Sequence, residues 1–206
     1  MSIKLYRHPL SGHSHRVELF LSLLDLKVEI IDVDLMQGEH KKPEFLQKNP
    51  SGQVPVLEDK GHFINDSNAI LIYLAATYAS GSDWYPADVH KVAEIQKFLS
   101  TAAGSVAFGP AAARLVNVFG AGINHEQAIN TAHGFLNGLE QHLQGRDWLV
   151  GDSATIADVA NYAYVARAPE GSVSLDKYSL VRAWLQRIEA LPGFVPMQKT
   201  AVGLAA

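Results

Sequence analysis

Near the start of the chain, short apolar runs are bounded by turn residues. Further along, apolar residues recur every three or four positions. Ile3 to Arg7 and Val28 to Val33 are rich in apolar and β-branched residues and are predicted as strands. Between them Val17, Phe20, Leu21 and Leu24 fall at helical spacing and predict an amphipathic helix. Strand, helix and strand within about thirty residues is the size of a right-handed βαβ unit. A polar stretch from Gln37 to Lys48, helical in part, comes next. Val54 to Leu57 and His62 to Ile64 then predict a hairpin turned by Asp59-Lys60-Gly61. Ile70, Tyr73, Leu74 and Thr77 mark another helix, so the order is βαβαββα.

The pattern changes after Tyr78. Ala79-Ser80-Gly81-Ser82-Asp83-Trp84-Tyr85-Pro86 is loop-like, and a linker is expected over 79–87. Beyond it the periodicity is helical throughout, from about Val89 to Phe119, His125 to Gln144, Thr155 to Arg167 and Leu180 to Leu191. The expectation is an α/β domain over 1–78, with the strand and helix order of a thioredoxin-like fold, and an all-α domain over 88–206.

Composition narrows the function without naming it. The 206 residues are 48% hydrophobic and 18% charged, as in a soluble globular protein. A net charge of −4 is too mild to suggest nucleic acid or an anionic membrane as the main partner. No apolar run reads as long enough to span a bilayer, and Met1 to Tyr6 lacks the apolar segment of a signal peptide. Cysteine is absent, which removes disulfides and redox chemistry at a protein thiol and fits a cytoplasmic address.

Three separated segments carry candidate chemistry. Pro9 discourages helix at His8, and Ser11 with Gly12 can start the helix that follows. Ser11 is thus a helix cap or a hydroxyl that donates to a bound thiolate. A hydrogen bond to a charged group is worth roughly 1.5–3 kcal/mol and one pKa unit about 1.4 kcal/mol. One hydroxyl, aided by a helix amino terminus, can therefore lower a thiol pKa by about one to two units. In Gln53-Val54-Pro55-Val56, the proline cannot donate to a ladder, so this strand lies at an edge or holds a cis bond. With a cis bond, the Val54 backbone could pair with a peptide. Asp66-Ser67 sits where the next helix begins and suits the α-ammonium and α-carboxylate of an amino acid, or serves only as a cap.

Ser11-Gly12-His13-Ser14-His15-Arg16-Val17, Glu39 to Glu44, Asn49 to Pro55, Asp66-Ser67-Asn68-Ala69-Ile70 and Gly151 to Asp158 together resemble the serine-type glutathione S-transferases, with the phi, theta and related bacterial branches nearest. The resemblance covers nearly the whole chain. It implies Ser11 as the hydroxyl that stabilises the glutathione thiolate, and Lys41, with His40, as the basic position for the glycyl carboxylate. It further implies Gln53 and Val54 as the backbone-binding segment with Pro55 as the cis-proline, and Asp66 and Ser67 as the γ-glutamyl site. It also implies a homodimer, and no cofactor beyond glutathione as co-substrate. Asp66 stands where the family more often has Glu, and Asn68 where it often has Arg.

The remaining conspicuous residues have competing readings. Tyr6 ends the first strand and is a second candidate thiol donor, or simply a packed strand aromatic. His8, His13 and His15 crowd one loop, but nothing nearby in sequence completes a metal site. Thr155 and Asp158 read as a capping box with a folding role. The second substrate, a small electrophile, is expected in an apolar cleft between the domains lined by Leu10, His13, Phe108, Ala112, Leu115 and Phe119. Arg114 would meet an acidic substrate or face water. Isomerase and peroxidase activities, or a non-catalytic binding module, are the alternatives on the same fold.

Overall fold

A computed structural model describes residues 3–200; the outermost parts of the two expected domains, 1–2 and 201–206, lie outside the described residues. Strands β1 (Ile3–Arg7), β2 (Val28–Asp32), β3 (Val56–Asp59) and β4 (His62–Asn65) form one sheet in the order β2-β1-β3-β4. β1 and β2 are parallel, joined by helix α1 (Gly12–Leu23), as the βαβ spacing predicts. β3 runs antiparallel to both β1 and β4. The hairpin loop is shorter than expected. Asp59 pairs with His62 inside the ladder, and the turn is made by Lys60 and Gly61 alone, both at positive φ (50° and 84°). That is the two-residue turn whose twist matches the flanking strands.

A short helical turn at Glu39–Lys41 and helix α2 (Pro43–Leu46) precede β3, and α3 (Ser67–Tyr78) follows β4. Val33, Phe45 and Val56 make a small separate core under the 35–55 connection, which fixes that loop against the sheet. The order βαβαββα and the sheet topology are those of a thioredoxin-like unit.

The rest is helical: α4 (Val89–Ala103), α5 (Ala112–Phe119), α6 (His125–His142), α7 (Ile156–Ala166) and α8 (Ser179–Glu189). The expected continuous helix from Val89 to Phe119 is interrupted. Gly104 leaves helical geometry (φ −102°, ψ −99°), and Ala107–Ala111 forms a π-helical turn around Pro110. Proline has no N–H to give to the preceding turn, and a wide turn absorbs that loss without ending the helix. This 31-residue run is, against the sequence expectation, long and apolar enough to cross a bilayer. However, 50% of its most apolar window is buried in the molecule, as in a core helix.

One continuous core joins the two parts. It runs from Leu5, Val17 and Phe20 through Leu71 and Leu74 to Ile95, Ile156, Tyr162 and Trp184. Helix α1 packs on the sheet with one side and on α7 with another. The expected linker is tied down as well: Trp84 meets Phe20 edge to face at 5.3 Å, and its carbonyl accepts the Ile156 N–H at 3.0 Å. The start of α1 therefore lies where sheet and helical layer meet.

Candidate active site

Residues 8–14 form a closed loop that aims Ser11. Its backbone is extended (φ −86°, ψ 118°), and its Oγ accepts the Ser14 N–H at 3.2 Å, the geometry of an N-cap. The Ser11 N–H donates to the His8 carbonyl at 3.0 Å, and the His8 N–H donates to Ser14 Oγ at 3.2 Å. The cap uses a lone pair of the Ser11 oxygen and leaves its proton available. Capping and donation to a ligand are thus compatible at this residue.

Ser11 opens on a cleft of about 710 Å³ between the sheet domain and α5 and α7. His40, Lys41, Gln53, Val54, Pro55, Asp66, Ser67, Leu10 and His13 all line it, as do Leu115 and Phe119. The Val54–Pro55 peptide bond is cis, and Val54 precedes the paired part of β3. Asn49, itself buried, holds this loop by donating to the Gln53 carbonyl at 2.8 Å and accepting the Ser51 N–H at 3.1 Å. Lys41 donates to the Gly52 carbonyl at 3.1 Å. Gly52 has φ +60°, and a Cβ there would come within 2.9 Å of both the His40 carbonyl and Lys41 Nζ, so only glycine fits.

At the α3 start Asp66 caps the helix, its Oδ1 accepting the Asn68 and Ala69 N–H groups at 2.9 Å each. Ser67 is held from behind by Arg16, which had been assigned no role of its own. Arg16 Nη1 donates to Ser67 Oγ at 2.7 Å and to Asn68 Oδ1 at 2.8 Å. Its guanidinium is fully buried with no carboxylate in contact among the described residues, and burial lowers its pKa to about 10. Asn68 thus faces the buried Arg16 guanidinium from the start of α3.

His13 Nδ1 lies 3.2 Å from Ser67 Oγ. Ser67 Oγ is thus shared between the Arg16 guanidinium and the His13 ring. Burial, with the Arg16 charge adding to it, holds the His13 pKa down at about 4, so the ring is neutral. The three crowded histidines diverge. His15 Nε2 meets the Val195 carbonyl at 2.9 Å, while His8 Nδ1 accepts the Leu10 N–H at 3.3 Å.

The second-substrate wall differs from expectation at two positions. Phe108 is 71% exposed and points to solvent, and Ala112 is buried in the core; neither lines the cleft. Ala107 and Ala111 take their places. The cause is the π-helical turn. Widening it keeps residues four apart on one face, so 107, 111, 115 and 119 form the stripe. Arg114 is buried: its Nε donates to Glu170 at 2.6 Å and its Nη1 to the Leu10 carbonyl at 2.9 Å, anchoring the loop ahead of Ser11. Tyr164, from α7, completes the wall. Arg114, expected to meet an acidic substrate or face water, is instead paired internally with Glu170, and no local sequence signal marks Tyr164, which reaches the site from a helix interior. Tyr6 is absent from the cleft. Its hydroxyl donates to Glu58 at 2.8 Å, and burial and that carboxylate push its pKa up to about 12.

Comparison with known proteins agrees with this geometry. Residues 1–76 match the model of the glutathione S-transferase N-terminal domain, and residues 125–192 that of the C-terminal domain. Glutathione S-transferase 3 of Zea mays is 36% identical over 219 aligned positions, covering 98% of this chain and 94% of the maize protein. A glutathione S-transferase structure from Pseudomonas fluorescens superposes with a TM-score of 0.90 at 31% identity, covering 97% of this chain and 100% of that one. A glutathione transferase homologue from Drosophila mojavensis, solved with bound glutathione, gives 0.85 at 29% identity over 93% of this chain and 89% of its own. With both domain models in place and relatives aligned end to end, the chain belongs to the glutathione S-transferase family and is a transferase.

Proposed function

We propose that Ser11 activates the thiol of glutathione for attack on a small, mostly apolar electrophile held against the helical wall. The observation that carries this is the Ser11 hydroxyl, which caps α1 through its oxygen and keeps its proton for a ligand in the cleft. A hydrogen bond to a thiolate is worth roughly 1.5–3 kcal/mol, enough to bring a thiol of pKa about 8.5 down by one to two units. The thiolate then forms the S–C bond as the leaving group departs with its electron pair, and no covalent enzyme intermediate is needed.

The peptide lies along the sheet-domain wall. Lys41 and His40 take the glycyl carboxylate, the Val54 backbone beside Gln53 and Pro55 pairs with the cysteinyl unit, and Asp66 and Ser67 meet the γ-glutamyl head group. Leu10, His13, Ala107, Ala111, Leu115 and Phe119 enclose the electrophile. Placement in the serine-type group, a homodimer and a cytoplasmic location are part of the same reading, supported by the relatives.

An ultraviolet pH titration of bound glutathione tests it. The thiol pKa is expected to be depressed in the native protein and to rise by about one to two units in Ser11→Ala. Glutathione that binds with an ordinary thiol pKa would overturn the reading in favour of a non-catalytic binding module.

A further inference from the structure

Helix α1 starts with amides that have no partner within the helix. The Ser14 N–H is taken by Ser11 Oγ and the His15 N–H by the Ser11 carbonyl. The Tyr164 phenol is packed against this first turn, at Gly12 and His13. Tyr164 reaches it because Gly12 has no side chain: a Cβ there would lie 2.6 Å from the Tyr164 Cζ. The ring is held in place by Val106, Ala111 and Phe135, and meets His13 edge to face at 5.1 Å.

The Tyr164 proton has no internal acceptor among the described residues. Tyr6 donates to Glu58, Tyr73 and Tyr78 to Asp59, and Tyr162 to Glu189. Tyr164 instead lines the cleft. Two hydroxyls, those of Ser11 and Tyr164, thus stand at one helix mouth with unspent protons. We propose that Tyr164 supplies a second hydrogen bond to the glutathione sulfur, contributed by the helical domain. The inference rests on the thiol-activating reading above.

The surroundings suit a donor phenol next to an anion. Burial, the largest influence, raises the Tyr164 pKa, which keeps the phenol protonated at neutral pH. The Arg16 and Arg114 guanidiniums and the Gly12 and His13 amides act in the opposite sense, favouring negative charge at that point. A sulfur anion beside the phenol oxygen lies in the same field. The other titratable groups lining this end of the cleft are His8, His13 and Asp66. Ser11 and Tyr164 then share the work, so loss of either alone leaves part of the thiol activation in place.

The test is the same thiolate titration applied to Tyr164→Phe, which keeps the ring and removes only the hydroxyl. The bound thiol pKa should rise by about one unit, a roughly tenfold drop in thiolate fraction well below the pKa. Single-turnover conjugation should slow by the same factor at low pH and recover above the shifted pKa, which a purely structural role would not produce. Replacing residue 164 by 3-fluorotyrosine, a stronger donor of nearly the same shape, should move the thiol pKa downward. An unchanged titration in Tyr164→Phe, with the Ser11→Ala shift intact, overturns the proposal, as does no shift with the fluorinated residue. An ordinary thiol pKa in the native protein would instead overturn the underlying reading of the site.

Discussion

Helices α1 and α7 pack against each other, and both begin on a capping hydroxyl, yet the two starts are built for opposite ends. At α7 the cap is closed. Thr155 Oγ1 accepts the Ala157 N–H at 3.2 Å, and Asp158 returns a bond to the Thr155 N–H at 2.9 Å. Asp158 also accepts the Leu149 N–H at 3.0 Å and Trp184 Nε1–H at 2.8 Å, all of it buried. At α1 the cap is left open. Ser14 stands where a capping box would have an acidic residue, so no side chain returns a bond to the Ser11 N–H, and the Ser11 proton faces a cleft. The same local rule gives a structural lock where every donor is paired, and a reactive site where one is left over.

The strongest way to break this contrast is at α7. Asp158→Ala strands four buried donors, the Leu149 and Thr155 N–H groups, the Thr155 hydroxyl and Trp184 Nε1–H, and should cost roughly 3 kcal/mol or more in a denaturant melt. In whatever protein still folds, the bound thiol pKa should be unchanged. A cost of under about 1 kcal/mol would mean that the closed cap is not a lock.

Acid should separate the two starts next. Burial lowers the pKa of both His13 and His15 from 6.5 to about 4, so the fold holds them neutral. The stability this represents is present above pH 6.5 and is lost as pH falls towards about 4, on the order of 3 kcal/mol for each ring. Asp158 works in the other sense. Burial raises its folded pKa, so lowering the pH through that value favours the fold. Urea midpoints measured from pH 7 to pH 4 should fall, and His15→Gln should flatten the fall. A His15→Gln curve as steep as the native one would locate the acid sensitivity elsewhere.

The smallest effect is on the stability contributed by Ser11. Ser11→Ala removes a half-exposed cap and should lower stability by only about 1 kcal/mol. The thermal midpoint then moves by a few degrees while the thiol titration moves by a unit or more. A stability loss as large as that of Asp158→Ala would erase the distinction between the two starts.

Much of the fold was legible because its signals are local. The periodicities of β1, α1 and α3 and the caps Ser11, Asp66 and Thr155 lie within a few residues of the elements they start. The same holds for the sheet-domain wall of the cleft, whose residues sit in short loops with Gly and Pro punctuation. The helical wall was legible only in part. Leu115 and Phe119 face the cleft, but Phe108 and Ala112 do not, since counting at 3.6 residues per turn fails across a π-helical turn.

What the sequence alone determined was the succession of elements, the chemistry available in the loops after β1 and before β3, and the place of Ser11 at a helix mouth. Each follows from backbone preferences and side-chain types within one or two turns of chain. Only the tertiary structure decided which distant side chains surround that hydroxyl. Arg16 reaches Ser67 across 51 positions of sequence, Arg114 reaches the Leu10 carbonyl across 104, and Tyr164 rests on Gly12. These meetings depend on how α5 and α7 pack against α1. Burial strengthens the electrostatics of the charges it brings together and leaves proton donors without water as a partner, so packing, and not the motif alone, sets the chemistry of the site.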